Sequence, residues 1–180
     1  GKSHMAFDNG TCGMCHENLH VGPREMFAGV GGRGVPNMPS PMQRPQVDCI
    51  ACHMIKEHSS QNAEVEAQTY VATQDSCNYC HGDKYKGALD DWKKSLAINL
   101  AKAETAMAAA QAAHAAHKLD PTTTLEIERC LDDAAFNVRF VKLGRGLHNI
   151  NYATALLSVA VERSKKAEDL ANGKAVASIP

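Results

Sequence analysis

Cys12-Gly13-Met14-Cys15-His16, Cys49-Ile50-Ala51-Cys52-His53 and Cys77-Asn78-Tyr79-Cys80-His81 are three copies of one pentapeptide, and they decide how this chain folds. Two cysteines separated by two residues and closed by histidine form the attachment pattern of a c-type haem. Each thiol adds across one vinyl group to give a thioether, and the spacer matches the separation of the vinyls. The histidine then lies under the macrocycle and binds iron from one face. A lone Cys-x-x-Cys would serve equally well as a thioredoxin-like redox pair or half a zinc site. Three copies within residues 12 to 81, each ending in histidine, argue against both. They imply three covalent haem c groups held by Cys12, Cys15, Cys49, Cys52, Cys77 and Cys80, with His16, His53 and His81 as the first axial ligands.

Composition sets the bounds around these motifs. At 180 residues the chain is one domain or two small ones, long enough to bury a core. Its 19 basic and 20 acidic residues leave a formal charge of −1, which gives no reason to expect nucleic acid as a partner. Aromatic residues make up only 5%, with Trp92 the single tryptophan, so the haems are expected to replace aromatic side chains as packing material. Covalent haem attachment takes place outside the cytoplasm, which places the protein in the periplasm or beyond the cell. No signal peptide is visible, and no run of 18 apolar residues spans a bilayer. A membrane anchor in a full-length protein would lie outside this stretch. Residues 1–5 read as an expression-tag remnant and are set aside.

The rest divides into two halves of different grammar, giving a mainly α protein: a loop-rich trihaem region, 6–87, followed by three long antiparallel helices, 88–173. The first half has little periodicity. Glycines at 29, 31, 32 and 34 and prolines at 36, 39, 41 and 45 predict that Val21 to Val47 is largely loop. The glycines lack the Gly-Lys-Ser/Thr of a phosphate loop, and close passage of backbone against a haem face is the expected use. Methionines 14, 38, 42 and 54 are expected to pack on haem.

In the second half, Leu89, Trp92, Leu96, Leu100, Ala103, Met107 and Ala110 recur in steps of three and four, predicting a helix from Ala88 to Leu119. Asp120-Pro121 ends it and caps a second helix, with Thr123 and Glu126 as an alternative capping box. That helix runs to Leu143, where Gly144-Arg145-Gly146 breaks it. A third helix spans about Asn149 to Asn172, capped by Gly173.

Helix lengths also sort the remaining histidines. His114 and His117 fall roughly 40 Å along the first long helix, and the second returns the chain by about 33 Å, so His148 comes back to the haem end. The expected distal ligands are therefore His20, His58 and His148, one for each iron. His20, only four residues beyond His16, is too close in sequence to wrap round its own haem. By the same reasoning His58 should serve the first or third haem, and the partner of His148 stays open. His114 and His117 are expected to pack between helices or form a surface pair, and Cys130 to be a buried thiol.

From residue 48 onward the chain resembles the C-terminal part of the pentahaem cytochrome c nitrite reductases and their multihaem relatives. Cys49 to Met54 with Lys56 is similar to their penultimate haem motif, and Cys77 to His81 to their last one, followed by three helices. Gly146-Leu147-His148-Asn149 resembles their Gly-x-His-Asn-Pro element, which supplies a distal ligand, with Ile150 in place of proline. The family's active haem uses a motif ending in lysine, and this chain has none. The resemblance thus implies the family's wiring without its catalytic centre, and a homodimer through the long helices.

Bis-histidine ligation saturates iron and changes little between oxidation states, so the expected role is electron transfer between redox partner proteins or from a membrane quinol-oxidising complex. Two rival readings are a small reductase with one labile iron site and a sensor or assembly module built on the helices.

Overall fold

The computed structural model describes residues 21–53, 55–58 and 68–174. Its elements in order are α1 (Val21–Ala28), α2 (Cys49–Cys52), β1 (Ile55–His58), β2 (Gln68–Val71), α3 (Gln74–His81), α4 (Ala88–Ala116), α5 (Pro121–Leu143) and α6 (Ile150–Ala171). Short 3₁₀ turns at Gly82–Tyr85 and Gly146–Asn149 lead into α4 and α6. The fold is mainly α, as the periodicities predict.

The long helices end where their caps dictate. The Asp120 carboxylate accepts hydrogen bonds from the amides of Thr122 and Thr123, with Pro121 in the first turn, so α5 uses Asp120 as its cap. At the same end of the bundle, α6 closes on Gly173, whose φ of +70° suits a residue without Cβ. There the Gly173 amide donates to Leu170 and the Lys174 amide to Asp169, satisfying two orphan carbonyls.

Two buried clusters give the directions of the helices. One joins Ala103 of α4 to Ala134, Val138 and Val141 of α5 and to Tyr152, Leu156 and Leu157 of α6. The other joins Ala110 at the end of α4 to Ile127 and Cys130 near the start of α5 and to Ala167 and Ala171 at the end of α6. Helix α5 is therefore antiparallel to both neighbours. Alanine at the α4 contacts lets the backbones approach closely, and Leu156 and Leu157, fully enclosed, each contribute about 1.5–3 kcal/mol of burial.

The first half departs from expectation in three places. Val21–Ala28 is a helix rather than loop: Pro23 falls in its first turn, where a missing amide hydrogen costs nothing, and Met26 is fully buried. Strands β1 and β2 form an antiparallel hairpin in the register Ile55↔Val71 to His58↔Gln68. Residues 29–40 form a strap that lies on the helices. Its closest glycine approach to the bundle is to side chains of α6: a Cβ on Gly32 would sit 2.1 Å from Leu156 Cδ2 and 2.7 Å from the Tyr152 hydroxyl. Met38 likewise packs against the helical core cluster.

The strap is fastened by specific bonds. The Gly32 amide donates to the Tyr152 hydroxyl at 2.8 Å. Asn137 accepts from the Arg33 amide and donates to the Arg33 carbonyl, both at 2.9 Å. The Arg33 guanidinium pairs with Asp132 at 2.6 Å and Asp133 at 3.2 Å and lies 4.2 Å from the centre of the Phe136 ring.

Candidate haem-ligating site

The second motif occupies a single helical turn. Asp48 starts it, accepting the Cys49 amide at 2.6 Å, and the His53 amide closes on the Cys49 carbonyl at 2.8 Å. One turn places Cys49 and Cys52 three residues apart on one face, with His53 just beyond.

Opposite His53 stands His148. The two ring centres are 6.1 Å apart and the ring planes differ by 21°. Two metal–nitrogen bonds of about 2 Å, plus the distance from each nitrogen to its ring centre, add up to about 6 Å. Two imidazoles sharing one metal ion would stand at about that separation. His148 is also in the right tautomer: its Nδ1 lies 3.0 Å from the Gly144 carbonyl and 2.9 Å from that of Arg145. A carbonyl oxygen only accepts, so Nδ1 carries the proton and Nε2 keeps its lone pair for a metal.

The turn between α5 and α6 makes this arrangement. Arg145 adopts a left-handed conformation, φ +49°, uncommon for a residue with a Cβ, and flanking Gly144 and Gly146 allow tight packing. A Cβ on Gly146 would meet Leu96 at 2.8 Å and Ala153 at 2.9 Å.

The third motif lies beside the second. Burial pushes the Cys52 thiol up from its usual range, and the thiols of Cys77 and Cys80 push it the same way. Cys77, Cys80 and His81 are on α3, and Gln74 at its start ties that helix to the 3₁₀ turn and to α4. The Gln74 amide nitrogen donates to the Tyr85 carbonyl at 3.0 Å, and its oxygen accepts from the Leu89 amide at 3.3 Å. Tyr85 stands edge-on to the His81 ring, with centres 4.9 Å apart.

Cys12, Cys15, His16 and His20 lie outside the described residues, as do Met14 and Met54. His58 ends β1 opposite Gln68. His117 caps the far end of α4, and the half-buried His114 is one turn before it. Cys130 is buried between α5 and α6, and burial raises its pKa although Lys166 and Arg163 pull it down. Among the described residues no cluster of three or more His, Cys, Asp or Glu side chains could hold a bare metal ion. The residues present do fit haem: a motif thiol pair on one turn, a histidine following it, and a second histidine across from it with its lone pair available. Sequence reasoning passed over Asn149, Asn137 and Gln74. Of these, only Asn149 carried a signal, as an N-capping residue type ahead of an apolar helix.

No family model and no curated protein matches this chain. Among solved structures it is similar to that of the outer cell wall cytochrome OcwA, at 23% identity and a TM-score of 0.57. The match covers 85% of this chain and 34% of that one, so the chain spans about a third of the neighbour's length. The likeness is one of fold. Among the described residues no helix is long and apolar enough to cross a membrane.

Proposed function

We propose that this chain is an extracytoplasmic trihaem c-type cytochrome that carries electrons, with all three irons held between two histidines. The observation that carries the reading is the His53–His148 ring pair, 6.1 Å apart, with the His148 Nδ1 proton committed to backbone carbonyls. On this reading His148 would serve the second haem, leaving His20 and His58 for the first and third. When bound, the haems supply reversible one-electron Fe(III)/Fe(II) chemistry along a short series of centres. The chain's residues do the rest. Thioethers to the six motif cysteines fix the macrocycles, and paired imidazoles close the irons to small substrates. Cys52 lies near Cys77 and Cys80, which would bring the second and third centres together.

The fold shared with a cell-wall cytochrome supports a location outside the cytoplasm; redox partner proteins or a quinol-oxidising membrane complex are the partners this reading calls for. The nitrite-reductase likeness rests on the sequence motifs, and the absence of a lysine-ended motif favours a carrier over a reductase. The same likeness suggests a homodimer through the long helices. Intact mass should show three haems, and the oxidised protein should be wholly low-spin by absorption and EPR. His148→Ala should turn one haem high-spin and open it to carbon monoxide, while His117→Ala should leave the spectrum unchanged. A high-spin resting component, or ammonia from nitrite over many turnovers, would instead indicate a reductase.

A further inference from the structure

We propose that Asn149 is a positioning residue that locks His148 to the strap of residues 29–40, so that the fold itself holds the ligand on its iron. The inference rests on His148 being an axial ligand. The 3₁₀ turn carrying His148 has only four residues. The His148 amide closes on Arg145 at 3.0 Å and its Nδ1 is held by Gly144 and Arg145, all upstream. On the downstream side the anchor is Asn149, which is 3% exposed. Its Oδ1 accepts the Tyr152 amide at 3.2 Å, capping α6, and its Nδ2 donates to the Met38 carbonyl at 2.7 Å. Using both arms leaves the side chain a single orientation.

The acceptor is itself immobilised. The Met38 amide donates to the Gly29 carbonyl at 2.9 Å, and Gly29, at φ +65°, leaves room for the Met38 oxygen that a Cβ would meet at 1.9 Å. The bonds of Gly32 to Tyr152 and of Arg33 to Asn137 hold the strap down beside it. Met38 therefore cannot follow Asn149 if the turn shifts, and the Asn149–Met38 bond acts as a fixed stop. A helix cap alone needs only the Oδ1 arm; the second arm ties the ligand's turn to the chain that leads from the first haem motif to the second.

The test uses holoprotein, reduced and exposed to carbon monoxide, with EPR of the oxidised form and thermal unfolding in parallel. Asn149→Ala removes both the bond to Met38 and the cap bond from Tyr152, and should raise the fraction of a single haem that takes carbon monoxide by about tenfold or more, tenfold being the effect of losing one buried hydrogen bond. Asn149→Asp keeps the cap and loses the donor, so it should give the same signature, and it keeps the test open if the alanine variant does not fold. Gly29→Ala, which displaces the Met38 oxygen without touching His148, should do the same. Arg33→Ala should lower the unfolding temperature and leave every haem closed to carbon monoxide. If the Asn149 variants unfold earlier yet stay low-spin and inert to carbon monoxide, Asn149 is only a cap and the proposal falls. If His148→Ala itself remains low-spin and inert, the ligand assignment has failed, a result that can be told apart from the first.

Discussion

The two ends of this molecule bury different things. Helix α6 encloses eight residues, among them Tyr152, Leu156 and Leu157, whereas α2 buries none and α3 only Ser76. Near the haem motifs Tyr79 is 73% exposed and Ile50 53%, while the bundle also leaves Ile98 and Leu143 at the surface. The bundle is specified by side chains that pack on one another. The motif region is specified by short-range caps and by residues whose proposed partners are haems. The strap of residues 29–40 belongs in sequence to the second region and in packing to the first.

The comparison would break most visibly if haem attachment were prevented. With Cys49, Cys52, Cys77 and Cys80 changed to serine, hydrogen exchange should show residues 49–85 losing protection while α4, α5 and α6 keep theirs. Loss of protection throughout would mean that the bundle, too, depends on the cofactors. A smaller effect is expected inside the bundle. Leu156→Ala should cost about 2–5 kcal/mol in denaturant unfolding, with the haem spectra unchanged up to the transition. Gly32→Ala tests the strap: its Cβ collides with Leu156 and the Tyr152 hydroxyl, so unfolding should be easier by about 1–3 kcal/mol.

The smallest effect belongs to the Asp120 cap. The Thr123 hydroxyl, then the Thr123 and Thr122 amides, hold its carboxyl below the ordinary value of 3.8. A carboxyl depressed in the folded state stabilises above its unfolded pKa, and that contribution fades as pH falls through the lower, folded one. Asp120→Asn keeps an N-cap acceptor, so its melting temperature should lose this part of the acid dependence and change little at neutral pH.

Much of the bundle could be read in advance because its signals are local and periodic. The steps of three and four in Leu96, Leu100, Ala103 and Met107, the Asp120-Pro121 stop and Gly173 each act within one or two turns of where they stand. His148 also lay within reach, since it needs only two helix lengths and a short connection. The strap did not. Glycine says that something comes close without saying what, and the neighbour of Gly32 is Leu156, more than a hundred positions away. Helix α1 was hidden because the glycines and prolines from Gly29 to Pro45 read as loop for the whole stretch. Asn149 was visible as a helix start, but its bond to Met38 exists only once the strap has folded over the bundle.

The 29 residues of α4 extend about 43 Å and end at His117, beyond which Asp120 turns the chain back. With Cys49, Cys52, Cys77 and Cys80 toward the opposite end, the tip holding His114, His117 and Leu119 is separated from the described motifs by peptide and alanine. Lengthening, shortening or decorating that hairpin would change the size and contacts of the molecule while leaving the proposed haem-ligating region alone. If the chain carries electrons as proposed, its docking and its reduction potentials can therefore vary independently.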